Sequence, residues 1–119
     1  MSGPVEQYLA CLAARDFAGL AETLAADVHR VGPYGDVVEG RDAYVEFLDS
    51  VISSLENYRL DVTRTTPTGF GVIVELTETV DDRGVDLRTE EVVVFETRHG
   101  LIAEVHVYIR TVVPALSSD

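Results

Sequence analysis

The hydrophobic period of this 119-residue chain changes once, near Asn57, and that change limits it to folds that form helices first and a sheet afterwards. From Pro4 to Ala14 the apolar residues Val5, Tyr8, Leu9, Cys11 and Leu12 recur at steps of three and four, and Pro4 suits a first helical turn. Asp16 can cap a second, shorter helix with Phe17, Leu20 and Leu24 on its inward side, ending before Asp27. Val28 to Pro33 reads as a short strand running into a turn at Gly32-Pro33-Tyr34-Gly35-Asp36. Gly40 introduces the clearest helix, with Tyr44, Phe47, Leu48, Val51, Ile52 and Leu55 on one side.

After Asn57 the period is two. Turn signals at Thr66-Pro67-Thr68-Gly69, Asp81-Asp82-Arg83-Gly84 and Arg98-His99-Gly100 divide the rest into four strands, about Tyr58–Thr65, Phe70–Val80, Val85–Thr97 and Leu101–Val113. Three of these are long enough to demand strong twist or bending. Helices followed by an antiparallel meander, without strand–helix–strand alternation, predict an α+β fold in which helices cover one face of a mostly antiparallel sheet.

Alternation assigns the faces. Ala103, Val105, Val107 and Ile109 form an apolar row that should meet the helices, with Glu104, His106, Tyr108 and Arg110 opposite. The preceding strand groups Leu87, Thr89, Glu91, Val93 and Phe95, so Glu91 is an acid on an inward row. Val72, Val74, Leu76 and Glu78 share a face of the strand before that, with Glu78 near the row's outer end. His106 and Tyr108, with Ile102, Val92, Val94 and Ile73, make a mixed polar and apolar outer surface.

The length fits a single domain over residues 1–119. Nine arginines, no lysine and 21 carboxylates give a net charge of -12, which repels phosphate backbones and anionic lipid, so nucleic acid and membrane are not expected partners. The N-terminal residues lack a basic stretch followed by an apolar one, and a cytoplasmic setting is the expectation. Cys11, the single cysteine, falls on an apolar stripe and is expected to be buried. His29, His99 and His106 do not have metal-ligand spacing, so no metal site is expected. The chain contains neither a phosphate-cradling glycine loop nor a nucleophile elbow.

The order helix, helix, strand, helix and four strands, with Asp27 before the first strand and Gly40-Arg41 opening the long helix, resembles the nuclear transport factor 2-like superfamily over about Val5 to Val112. The run from Ala26 to Gly35, followed by Glu39-Gly40-Arg41, is similar to the matching part of ketosteroid isomerases and SnoaL-like polyketide cyclases. The resemblance implies a cone-shaped, strongly curved sheet wrapped around helices, with an internal pocket. It also implies a hydrophobic small-molecule partner, no cofactor and a homodimer through the outer sheet face. It places Tyr8 where ketosteroid isomerases have their oxyanion tyrosine and Glu91 where they have a protonated acid, whereas the family's base falls on Gly32, which has no side chain. Arg30, Gly32, Leu48, Val74, Leu76, Glu78, Val93, Val105, Val107 and Ile109 are the expected ligand-binding set. Limonene epoxide hydrolases share the fold, but where they carry an arginine this chain has Thr89.

Several residues have two readings. Tyr8 is either a pocket donor or a core tyrosine. Glu91 is either alone in apolar surroundings, with a raised pKa, or paired with an inward Arg30 and ionised. Glu78 is expected to be an exposed strand-end carboxylate, with a replacement base as the alternative. Two functions remain open: an isomerase-like or cyclase-like enzyme using Tyr8 and Glu91 on a hydrophobic carbonyl compound, and a non-catalytic ligand-binding or association module.

Overall fold

The structure is a computed structural model that describes residues 3–110, with all side chains in that range except that of Asp82. Helix α1 (Pro4–Ala14) begins on proline and ends where Arg15 turns left-handed at φ 58. Helix α2 (Phe17–Ala21) is capped by Asp16, whose carboxylate accepts from the Gly19 amide at 2.9 Å. Strands β1 (Leu24–Val31) and β2 (Val37–Glu39) precede helix α3 (Arg41–Ile52). Strands β3 (Glu56–Pro67), β4 (Gly71–Asp82), β5 (Val85–Arg98) and β6 (Leu101–Ile109) complete the order. The expected continuation of the last strand to Val113 lies outside the described residues.

The six strands form one sheet in the order β2-β1-β6-β5-β4-β3. Only β1 and β6 run parallel; every other pair is antiparallel. The β4–β5 and β5–β6 hairpins close through Arg83-Gly84 and His99-Gly100, each with both residues at positive φ, a geometry whose twist matches that of the strands. Register shifts in β3 at Glu56/Arg59 and Val62/Arg64, and in β5 at Glu96/Thr97, bend the sheet. At the start of β4 the backbones approach so closely that a Cβ on Gly71 would lie 2.0 Å from the Phe95 carbonyl oxygen, so only glycine fits there.

The core lies between the helices and the concave face of the sheet. Val5, Tyr8, Leu9 and Leu12 of α1 and Tyr44, Leu48 and Ile52 of α3 pack toward Val74, Leu76, Val93, Phe95, Val105 and Val107. Burial of such side chains is the main favourable contribution to folding, about 1.5–3 kcal/mol each for a fully buried aliphatic or Phe side chain.

Four expectations fail locally. Leu24 is not on a helix but opens β1, fully buried, because α2 stops at Ala21. Val51 is 41% exposed, since the α3 stripe narrows to Tyr44, Leu48 and Ile52. Ile102 is fully buried rather than outward: the shift at Glu96/Thr97 changes the facing, and the Ile102 amide donates to the Thr23 carbonyl at 2.8 Å beside Leu24. Cys11 is half-buried, at the margin of the core.

Candidate active site

A cavity of about 70 Å³ sits between α1, α3 and the concave face, and its polar lining falls into two groups. The first is built from strands. Glu78 lies opposite Thr89 and Leu76 opposite Glu91, so the two glutamates are diagonal neighbours on β4 and β5, within reach for long side chains. Their carboxyl groups hydrogen-bond to each other, and the Tyr58 hydroxyl of β3 donates to Glu78 Oε2. A carboxyl–carboxyl bond needs a proton between the two. Burial chiefly, then the Glu78 hydrogen bond and charge, push Glu91 from its ordinary 4.5 up to about 9. Burial, then Glu78, also raises the Tyr58 phenol.

The second group comes from helices α1 and α3 and from β1. The Tyr8 and Tyr44 hydroxyls are 2.6 Å apart, and either can donate to the other. One mutual bond uses one of the two O–H groups, which leaves a second proton for another oxygen. Burial raises Tyr8 well above its ordinary value, and it pushes Tyr44 up to about 12, so both stay protonated donors at neutral pH. The Arg30 side chain is only 11% exposed, and its guanidinium carbon lies 4.7 Å from the Phe47 ring centre and 5.9 Å from that of Tyr44. Its nearest carboxylate is Asp36, at 3.4 Å.

Acid pair and phenol pair therefore face one small space, an arrangement that can hold a carbonyl oxygen at one end and exchange a proton at the other. The profile of the SnoaL-like domain matches residues 5–105. The chain belongs to the SnoaL-like domain family.

The SnoaL-like fold is repeated in solved structures. A candidate ketosteroid isomerase from Kribbella flavida is 25% identical, with 92% of this chain and 77% of that one covered and a TM-score of 0.81. TerC co-crystallised with polyporic acid is 23% identical, with coverage of 90% and 88% and a TM-score of 0.79. A Catenulispora acidiphila protein with a ketosteroid isomerase-like fold, in complex with trimethylamine, is 19% identical, with coverage of 88% and 83% and a TM-score of 0.78. No curated protein matches this chain.

Within this SnoaL-like domain, Tyr8, Arg30, Leu48, Leu76, Glu78, Glu91, Val93, Val105 and Val107 line the cavity. Gly32, Val74 and Ile109 are not among its lining residues. Val74 is fully buried in the core, and Ile109 is half-buried at the end of β6. Gly32 sits in the β1–β2 turn, where an added Cβ would meet the Asp36 carboxylate at 2.3 Å. Glu78 is half-buried and bonded, not the exposed strand-end acid expected, because Tyr58 from β3 and Glu91 from β5 close over it. The Arg30–Glu91 ion pair is not formed: Arg30 is turned to Asp36 and the Tyr44 ring, and burial and Glu78 outweigh its downward pull on Glu91.

Sequence reasoning missed Tyr44, Tyr58 and Asp36. Tyr44 was legible only as a core residue. Tyr58 begins the first period-two segment, and its inward facing depends on the β3 register shift, which alternation does not encode. Among the described residues no group of three or more His, Cys, Asp or Glu is placed to hold a metal ion, and no helix is long and apolar enough to cross a membrane.

Proposed function

We propose that this domain is an acid/base catalyst that moves a proton on a carbonyl compound, without a cofactor, in the manner of an isomerase or cyclase. The observation that carries it is the hydrogen-bonded Glu78–Glu91 pair lining the same cavity as the Tyr8–Tyr44 hydroxyls. Glu78 accepts from both Tyr58 and Glu91, which fits it for the carboxylate role, while Glu91 holds the proton.

In the proposed step Glu78 removes a proton from the carbon beside the carbonyl. The C–H electron pair becomes a C=C bond, and the carbonyl π pair moves onto oxygen. The free hydroxyl proton of the tyrosine pair and the Arg30 charge stabilise the resulting enolate. With a β,γ-unsaturated carbonyl compound, return of the proton to the far carbon of the dienolate gives the conjugated isomer; attack of the deprotonated carbon on a second carbonyl within the same molecule, whose π pair moves onto oxygen and takes the proton back from Glu78, gives a ring. The pair supplies the titratable group that Gly32 lacks. The test is solvent-deuterium incorporation next to the carbonyl of small ketones, followed by NMR: incorporation above the buffer rate, saturating with ketone, is expected. A folded protein that binds a ketone without exchanging it is the outcome of the second reading, a non-catalytic binding module, which the missing side chain at Gly32 favours.

The outer face is proposed to pair with a second copy. Val92 and Tyr108 are cross-strand partners there, 37% and 59% exposed. Sedimentation equilibrium should give a dimer mass, and Tyr108→Glu should give the monomer; a monomeric wild type rejects the pairing.

A further inference from the structure

We propose that the site takes a compact ketone or aldehyde that carries no carboxylate, and that Tyr8, Tyr44, Phe95 and Leu60 set the size limit. The proposal rests on the acid/base reading above. The cavity is about 70 Å³. Pockets for drug-sized ligands run from about 300 Å³ upward.

The remaining width of the cone is already filled. Tyr44 and Phe95 are fully buried. The Tyr8 ring meets Phe95 edge-on at 5.3 Å and Tyr44 at 6.3 Å between ring centres. Turning any of these rings to admit a larger molecule would break the 2.6 Å hydroxyl contact or an edge contact. Leu60 is a half-buried wall residue on β3, an edge strand of the sheet.

Charge narrows the class further. The acid pair shares one proton and so carries one negative charge, while Arg30 carries a positive one already answered by Asp36. A carboxylate substrate would be brought against the negatively charged acid pair, and Arg30, already answered by Asp36, leaves it no free counter-charge in a desolvated space. A molecule with one acceptor oxygen meets the spare tyrosine proton and Arg30 at one end of the cavity and the acid pair at the other.

The experiment compares acetone with 2-tetralone, whose hydrogens beside the carbonyl are intrinsically the more acidic. Wild-type protein should exchange acetone and leave 2-tetralone at the buffer rate, and Leu60→Ala should raise 2-tetralone exchange by roughly tenfold or more. Wild-type exchange of 2-tetralone matching or exceeding that of acetone overturns the size limit. Methyl NMR reads the same limit without turnover: the Leu48 and Val107 signals should shift with acetone and not with 2-tetralone. If those signals shift selectively but neither ketone exchanges, the acid/base reading fails and the size limit stands. If acetone leaves them unmoved, or 2-tetralone shifts them, the compact-ketone proposal is wrong whatever the Leu60 variant does.

Discussion

Glu90 and Glu91 are consecutive on β5, and Glu75 and Glu78 lie three residues apart on β4, yet each pair is divided between the two faces of the sheet. On the outer face Glu75 meets Arg64 and Glu90 meets Arg110, all with access to water. The Arg64 hydrogen bond holds Glu75 below its ordinary value. On the inner face no arginine is spent on the acids, and Glu78 and Glu91 answer each other through a shared proton. The same side chain thus becomes a soluble surface group or a proton store according to the parity of its position.

The largest effect expected from breaking this contrast is on proton exchange. Glu78→Gln or Glu91→Gln should each cut ketone exchange by roughly 10²-fold or more, while Glu75→Gln leaves it unchanged; equal rates in all three would remove the inner pair from the chemistry.

Next comes pH. The folded chain holds the Glu91 proton more tightly than the unfolded chain, so this stabilisation is complete below about 4.5 and is lost as pH rises towards about 9. Glu75 has the opposite sign: its contribution is present above the ordinary value of 4.5 and fades as pH falls. Thermal melts from pH 4.5 to 9 should show a decline attributable to Glu91 that flattens in Glu91→Gln; an unchanged slope would mean that Glu91 ionises as in water.

Asp36→Asn sharpens the contrast from a distance. With Asp36 neutral, the Arg30 charge, which already draws Glu91 downward, is no longer answered, and the Glu91 midpoint in a carboxyl ¹³C titration should fall. An upward move would show that Arg30 swings away instead.

The smallest effect belongs to the outer face: Arg64→Ala should leave the melting temperature within error, because exposed ion pairs contribute little.

The α+β class was legible from the change of period at Asn57, and the inward row of β5 from plain alternation, because both depend on local repeats that burial enforces. Glu91 was found for that reason. Its partner was harder: Glu78 stood on the correct face, but whether a strand end is covered depends on Tyr58, three strands' worth of curvature and a register shift. The Ile102 error has the same origin, since one extra residue on β6, Ala103, opposite the Glu96–Thr97 step reverses a face without leaving a mark in the hydrophobic pattern. Strand β2, only three residues long, is too short to display alternation.

The β1–β2 turn has one more implication. Gly32 offers no side chain, yet the carboxylate of Asp36, four positions on, occupies the space where one would start. The same carboxylate holds Arg30 at 3.4 Å, so the corner and the guanidinium are fixed by one side chain. Any larger residue at position 32 would have to push Asp36 off Arg30 before its side chain could enter, which ties the smallness of that position to the placement of a cation in the neighbouring cavity.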